Sequence, residues 1–201
     1  MSEYSTGQEG PAYPSPTPTE KGVWDLQQVR DKQLLGTGQW KYDAPSAPSG
    51  LFTTGSNRDG VLGGNFGPQF ARRSSPIQIG TQTDWSKVFV GSEKAGAIKT
   101  DGTMWTFGNN YQGTLGQNNT IYYSSPVQIP GTTWSDASMS YSNVLATKTD
   151  GTLWGWGNNT VGNLGQNNRT HRSSPVQIPG TDWNIVQVIG GGSAGMAIKV
   201  I

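Results

Sequence analysis

The sequence predicts an all-β protein with three four-stranded propeller-type blades, an incomplete propeller, preceded by an extended arm with one short helix. The first observation is composition. Of 201 residues, 29 are glycine and 12 are proline, and only 32% are hydrophobic, which favours short strands and turns over long helices. The second observation is an internal repeat, and the third is the turn chemistry that divides each repeat into short segments.

The repeat has a period of about 50 residues, the size of a propeller blade. Its most regular markers are Trp85, Trp134 and Trp183, together with three Ser-Ser-Pro triplets. We therefore divide residues 48–201 into three units, at about 48–100, 101–149 and 150–201. A small sheet cannot bury both of its faces alone, so units of this size are expected to stack on one another.

Each unit contains four segments of strand length, separated by residues that favour turns. In the third unit these segments are Leu153–Gly157, Ser174–Ile178, Ile185–Ile189 and Ala194–Lys199. Asp150-Gly151 supplies the backbone freedom of a tight turn before the first of them. The repeated tryptophans are predicted to fill the contacts between neighbouring blades, since large flat side chains suit that position.

The units read LWGWGNNTVGNLGQNN, then RSSPVQI, then Trp, then AIK, and in this they resemble the repeats of the regulator of chromosome condensation family over about Ser49 to Ile201. The resemblance implies a β-propeller. The founding member of that family is a guanine-nucleotide exchange factor, acting through loops and an inserted β-wedge, and it also binds nucleosomes. This sequence has three units, no inserted wedge and no basic tail.

Three blades leave a sheet face uncovered at each end of the array, and uncovered strand edges promote association. The sequence reaches Ile201 at the end of the third unit's fourth strand. We therefore expect a homo-oligomer, for example two protomers sharing six blades, or an array held in a larger assembly.

The residues before the repeats form two segments. Residues 1–20 are rich in proline, serine and threonine and predict an extended arm, and residues 21–47 predict a short helix and a linker. Asp25 with Gln28 indicates a capped helix start and Gly36 a stop, so the helix is expected over Leu26–Leu35. The candidate anchor residues are Trp24, Leu26, Val29 and Leu34.

Gly22–Lys32, GVWDLQQVRDK, resembles N-terminal segments of structural proteins of marine tailed bacteriophages, where such segments precede β-rich modules. The resemblance implies that this part of the chain is an anchor. The alternative is that the helix packs on the first blade.

Candidate residues for chemistry are few. The chain has no cysteine. Its one histidine, His171, lies in a loop, at a position where the residue type differs between the units. Asp101 and Asp150 recur as the first residues of Asp-Gly turns, which accounts for them. We expect no catalytic group, no metal and no cofactor. A net charge of +1 also argues against nucleic-acid binding, and no apolar run is long enough for membrane insertion.

Three tyrosines are the candidate surface-binding residues. Tyr111, Tyr122 and Tyr123 occur in the loop of the second unit and have no tyrosine counterparts in the other units. Residues that occur in only one unit are better candidates for binding than residues that the fold repeats.

The leading hypothesis is a non-enzymatic virion structural protein, assembled in the host cytoplasm as a tail fibre, tail-associated or capsid-decorating component. Its arm would bind other virion proteins, and its repeats would contact protein partners or a host-surface receptor. The alternatives are a cytoplasmic propeller adaptor or exchange factor-like protein, and a sugar-binding module.

Overall fold

The computed structural model describes residues 48–66, 72–188 and 194–200. The described residues belong to one compact unit, Pro48–Ile201. The predicted arm, the helix at Leu26–Leu35 and the anchor residues Trp24, Leu26, Val29 and Leu34 lie outside the described residues.

The described residues contain twelve strands. They are β1 (Leu51–Ser56), β2 (Arg72–Ile79), β3 (Trp85–Gly91), β4 (Lys94–Lys99), β5 (Met104–Gly108), β6 (Tyr123–Ile129), β7 (Trp134–Met139), β8 (Asn143–Lys148), β9 (Leu153–Gly157), β10 (Arg172–Ile178), β11 (Trp183–Val188) and β12 (Gly195–Lys199). Two short 3-10 helices follow β1 and β5, at Arg58–Gly60 and Tyr111–Gly113.

The strands form four antiparallel sheets, which confirms the predicted all-β fold of propeller-type blades. Strands β3 to β6 form the first blade and β7 to β10 the second blade, each in chain order. Strands β1 and β2 form a two-stranded N-terminal half-blade, and β11 and β12 form a C-terminal half-blade. Twelve strands therefore make two complete blades and two halves.

The sheets are offset by two strands from the repeats of the sequence. The Asp101-Gly102 turn joins β4 to β5 within one sheet, with Ile98 opposite Met104, because Gly102 adopts a φ of 78° that allows a tight reversal. The chain crosses to the next blade after β6. Each sequence unit thus gives its first two strands to one sheet and its last two to the following sheet.

Repeated aromatic side chains fill the contacts between sheets. Phe107 on β5 packs with Ile79 and Leu51 of the N-terminal half-blade. Trp156 on β9 is fully buried against Ile129 of the first blade, and its indole N–H donates to the carbonyl oxygen of Thr114 at 2.9 Å. Each blade is therefore joined to the one before it by an aromatic residue of its third strand.

A second repeated cluster places a lysine between two tryptophans. The Nζ of Lys148 lies 4.7 Å from the ring centre of Trp134 and 4.4 Å from that of Trp154. The Trp154 indole N–H donates to Thr152, whose hydroxyl donates to Asp150. Asp150 therefore supports the turn and the lysine–tryptophan cluster above it in the hydrogen-bond chain. Lys99, Trp85 and Trp105 repeat the arrangement in the first blade.

No helix within the described ranges is long and apolar enough to cross a membrane.

Candidate protein-contact surface

The long loops of the second and third sequence units, residues 109–122 and 158–171, leave the blades at one common end. The amide of Asn109 donates to the carbonyl of Glu93 in the β3–β4 turn at 2.8 Å, and that of Asn158 donates to Ser142 in the β7–β8 turn at 2.7 Å. We call this end of the blades, with its loops and turns, the loop end.

Asparagine side chains hold the 109–122 loop in place. The Asn110 side chain accepts from the amide of Leu115 at 2.8 Å and donates to the carbonyl of Asn119 at 3.0 Å. Asn119 in turn accepts from the amide of Ile121 at 2.9 Å. These bonds use the backbone groups of the loop, so its conformation is fixed although its one regular element is the short 3-10 helix Tyr111–Gly113.

The 158–171 loop is built in the same way. Asn159 accepts from the amide of Leu164 at 3.0 Å and donates to the carbonyl of Asn168 at 2.9 Å, while Asn168 accepts from the amide of Thr170 at 2.9 Å. One scaffold therefore occurs twice, and the residues that it displays can be compared directly.

The 109–122 loop is also tied to the second blade. The amide of Asn118 donates to the carbonyl of Ser173 at 2.8 Å, and Gln112 accepts from the side chain of Asn158 at 2.7 Å. Gly113 has a φ of 75°, and a Cβ placed there would lie 2.5 Å from the Cα of Ser173. Only glycine permits this close approach of loop and strand.

At three positions of this scaffold the second unit displays apolar side chains where the third displays polar ones. Tyr111, Ile121 and Tyr122 are 56%, 61% and 46% exposed. The corresponding residues of the third unit are Thr160, Thr170 and His171. Exposed apolar side chains held on a fixed loop are typical of surfaces that bind other proteins.

The third predicted tyrosine has a different position. Tyr123 is the first residue of β6 and is half-buried, and its hydroxyl accepts from the side chain of Asn119 at 3.0 Å. Tyr123 therefore stabilises the loop from its strand, whereas the side chains of Tyr111 and Tyr122 are exposed and accessible to a binding partner.

Tyr141 adds a further exposed aromatic ring to the loop end. It lies in the turn between β7 and β8 and is 51% exposed, and the buried ammonium of Lys94 donates to its carbonyl oxygen. Burial lowers the pKa of Lys94 from 10.5 to about 8. The turn that carries Tyr141 is therefore fixed to the first blade.

Sequence reasoning missed Ile121 and Tyr141. Both had a usable signal, because each occurs in one unit only: Thr170 replaces Ile121 in the third unit, and Ser92 occupies the position of Tyr141 in the preceding blade.

His171, Asp101 and Asp150 all make hydrogen bonds that support loops or turns. His171 is exposed, and its Nδ1 accepts from the amide of Asn159 at 2.9 Å. Hydrogen bonds from Thr103 hold the pKa of Asp101 below its usual value, and Thr152 does the same for the pKa of Asp150. Within residues 48–66, 72–188 and 194–200, no three His, Cys, Asp or Glu residues are grouped to hold a metal ion.

Residues 101–146 and 150–198 match the regulator of chromosome condensation (RCC1) repeat. No curated protein sequence matches the chain.

Solved structures of similar fold include human WBSCR16, with a TM-score of 0.62 and 19% identity over 71% of this chain and 38% of that one. Prp20p from Saccharomyces cerevisiae has a TM-score of 0.64 and 16% identity, over 76% of this chain and 40% of that one. Yeast RCC1 (Prp20) in complex with Kap60 gives a TM-score of 0.62 and 15% identity, over 76% and 39%. The chain thus spans about 40% of the length of these structures.

Proposed function

We propose, from the premise that residues 101–198 belong to the regulator of chromosome condensation repeat family, that this chain is a protein–protein interaction module with no catalytic activity of its own. The observation that carries the proposal is the set of exposed side chains on the 109–122 loop. Tyr111, Ile121 and Tyr122 form the centre of the contact surface, and Tyr141 extends it.

The chemistry of this surface suits a protein partner. Tyrosine combines a large apolar face with a polar end and loses little side-chain entropy on binding, so it is common in protein contacts. The loop is held by Asn110 and Asn119 before any partner arrives. A preformed loop lowers the cost of ordering on binding.

Known partners of similar structures point the same way. Prp20p is described by its binding to Gsp1p and histones, and yeast RCC1 is bound by Kap60. All three are protein partners. We extend to this chain only that class of ligand, because it spans less than half of those structures.

We place an intracellular adaptor ahead of the other interpretations. The matches support the adaptor over the virion component, which rests on the predicted arm, the cysteine-free chain of low net charge, the small number of repeats and the resemblance of Gly22–Lys32. Exchange activity is a second candidate, favoured by the family alone. Measuring the release of bound nucleotide from candidate small GTPases tests it, and unchanged release rates would exclude it for those proteins.

The test of the contact surface is a loop swap. The triple variant Tyr111→Thr, Ile121→Thr, Tyr122→His places on the second unit the residues that the same scaffold carries in the third. We expect the variant to fold normally, because neither asparagine network is altered. Proteins recovered by the wild-type chain from a lysate of the source cells are quantified by mass spectrometry against the variant, and binding is then measured with the purified partner.

We expect a loss of binding of at least about tenfold, which corresponds to about 1.4 kcal/mol. The matched control is Val161→Thr, which removes an equally exposed apolar side chain, 62% exposed, from the loop of the third unit. Equal recovery of every protein by the wild type and the loop swap would refute the proposed surface.

A further inference from the structure

Each half-blade has one strand edge that is paired in the complete blades but has no ladder partner in the described part of the chain. Strand β12 pairs with β11 alone, and β1 pairs with β2 alone. In the two complete blades the equivalent strands have partners on both sides, since β4 lies between β3 and β5, and β8 lies between β7 and β9. Such edges are templates for pairing with another strand.

The two free edges are complementary by repeat position. Strand β12 corresponds to β4 and β8, the second strands of the complete blades. Strand β1 corresponds to β5 and β9, the third strands, and its register agrees: Leu51 lies opposite Ile79 as Met104 lies opposite Ile129. Strands β12 and β1 are therefore the two kinds of strand that pair within a complete blade.

Side chains that are buried in the complete blades are exposed at these edges. Ile198 is 57% exposed, whereas Ile98 and Thr147 at the equivalent positions are 2% and 0% exposed. Phe52 is 56% exposed and occupies the position of Trp105 and Trp154. Met196, at 61%, is equivalent to Leu145, at 4%.

We propose that the C-terminal half-blade of one copy joins the N-terminal half-blade of a second copy, so that β11, β12, β1 and β2 form one four-stranded blade. The register follows from β4 and β5, where Ile98 faces Met104 and Ala97 faces Trp105. Ile198 then faces Leu51 of the second copy, and Ala197 faces Phe52.

Phe52 completes a lysine cluster in this arrangement. Lys199 already lies 5.7 Å from the ring centre of Trp183, as Lys148 lies beside Trp134. In the complete blades the second aromatic ring comes from the third strand. Phe52 of the second copy supplies that ring, so the lysine again lies between two aromatic faces.

A second copy is the occupant because one chain carries both halves of the joint. The contact is head-to-tail, so each joined copy again presents one free half of each kind, and the assembly ends only when a ring closes. In such a ring every half-blade is part of a four-stranded blade.

One position of the proposed contact between copies is filled less completely than the equivalent position between blades of one chain. Phe107 packs beside Ile79 and Trp156 beside Ile129, and the equivalent Ile178 lines an open cavity with Leu164 and Ala197. At the matching position β1 carries Thr54. Thr54→Phe should therefore tighten the association, by about tenfold for one added aromatic contact.

Cysteine cross-linking tests the register, because the chain contains no cysteine. Full-length Ala197→Cys and Phe52→Cys are prepared separately, mixed and oxidised. The head-to-tail joint predicts a disulfide-linked dimer in the mixture and little in either variant alone. Val88→Cys mixed with Ala197→Cys is the control, since Val88 is exposed on β3 away from both edges. No dimer in the first mixture, or as much in the control, would overturn the register.

Mass in solution tests the association itself. We expect light scattering to give a multiple of the chain mass of 21.5 kDa. Ile198→Asp should reduce this to one chain, and Ile121→Asp should not, because Ile121 is equally exposed but lies on the 109–122 loop, which packs on the second blade of its own chain. A monomeric wild type that stays monomeric with Thr54→Phe would overturn the proposal. So would association that appears only when residues 1–47 are deleted, which would mean that the chain's own N-terminal segment covers an edge.

Discussion

Replacing Trp156 by alanine measures how strongly the repeated aromatic residues hold neighbouring blades together. Trp156 is 0% exposed and belongs to the second blade. Its indole N–H donates to the carbonyl oxygen of Thr114, in the 109–122 loop that follows β5 of the first blade, at 2.9 Å. Its ring meets the edge of Trp134 with centres 6.0 Å apart. The substitution therefore removes packing and a hydrogen bond at one joint.

The expected cost is about 4 kcal/mol, since truncating a buried tryptophan to alanine typically costs about 3–5 kcal/mol. A domain of ordinary stability has about 5–15 kcal/mol in total. Trp156→Phe keeps most of the ring and loses the N–H, which leaves the buried carbonyl of Thr114 without that donor. We expect about 1–2 kcal/mol for this second variant.

Urea unfolding followed by circular dichroism gives both values. Trp154→Ala is the matched control, because Trp154 is two residues away on the same strand but only half-buried, and we expect it to cost less. A loss below about 1 kcal/mol for Trp156→Ala, or a larger loss for Trp154→Ala, would refute the assignment of Trp156 to the joint.

Two further predictions concern the loop end. In the Ile198→Asp chain, which should not associate, Gly113→Ala should lower the stability more than Gly162→Ala at the equivalent position. Both glycines have positive φ, where a side chain costs about 1–2 kcal/mol, but only at Gly113 does a Cβ meet a neighbouring strand of the same chain. Equal urea midpoints would contradict this. Lys94→Met should flatten the pH dependence of stability. Burial lowers the pKa of Lys94 from 10.5 to about 8, so the unfolded chain binds the proton of this lysine more tightly than the folded chain does. The free energy of unfolding of the wild type should therefore rise from pH 8 towards pH 10.5. A wild-type profile as flat as that of the variant would contradict this.

The repeat made most of the fold predictable from sequence. The predicted third-unit strands Leu153–Gly157 and Ser174–Ile178 agree closely with β9 and β10, since turn residues mark their ends. Which strands share a sheet was harder to predict. Periodicity gives the length of the repeating unit but not the point where a sheet begins, because shifting the start by two strands leaves the sequence pattern unchanged.

The candidate site was predictable in part. Tyr111 and Tyr122 were identified because the other units lack tyrosine at their positions, and both are exposed. Tyr123 has the same sequence signal but supports the loop, a difference that depends on the hydrogen bond from Asn119. Tyr141 is separated from the loop in sequence, and only the pairing of β7 with β8 brings its turn to the loop end.

The two-strand offset between repeats and sheets has a consequence for how such a protein can change in length. A duplication or loss of one whole unit inside the array adds or removes one complete blade. The half-sheets that flank the array keep their sequences and their matching edges. If the half-blades of two copies join as proposed, the chain can gain or lose single units without any change to the residues of that joint, and one recombination event would change the size of the ring.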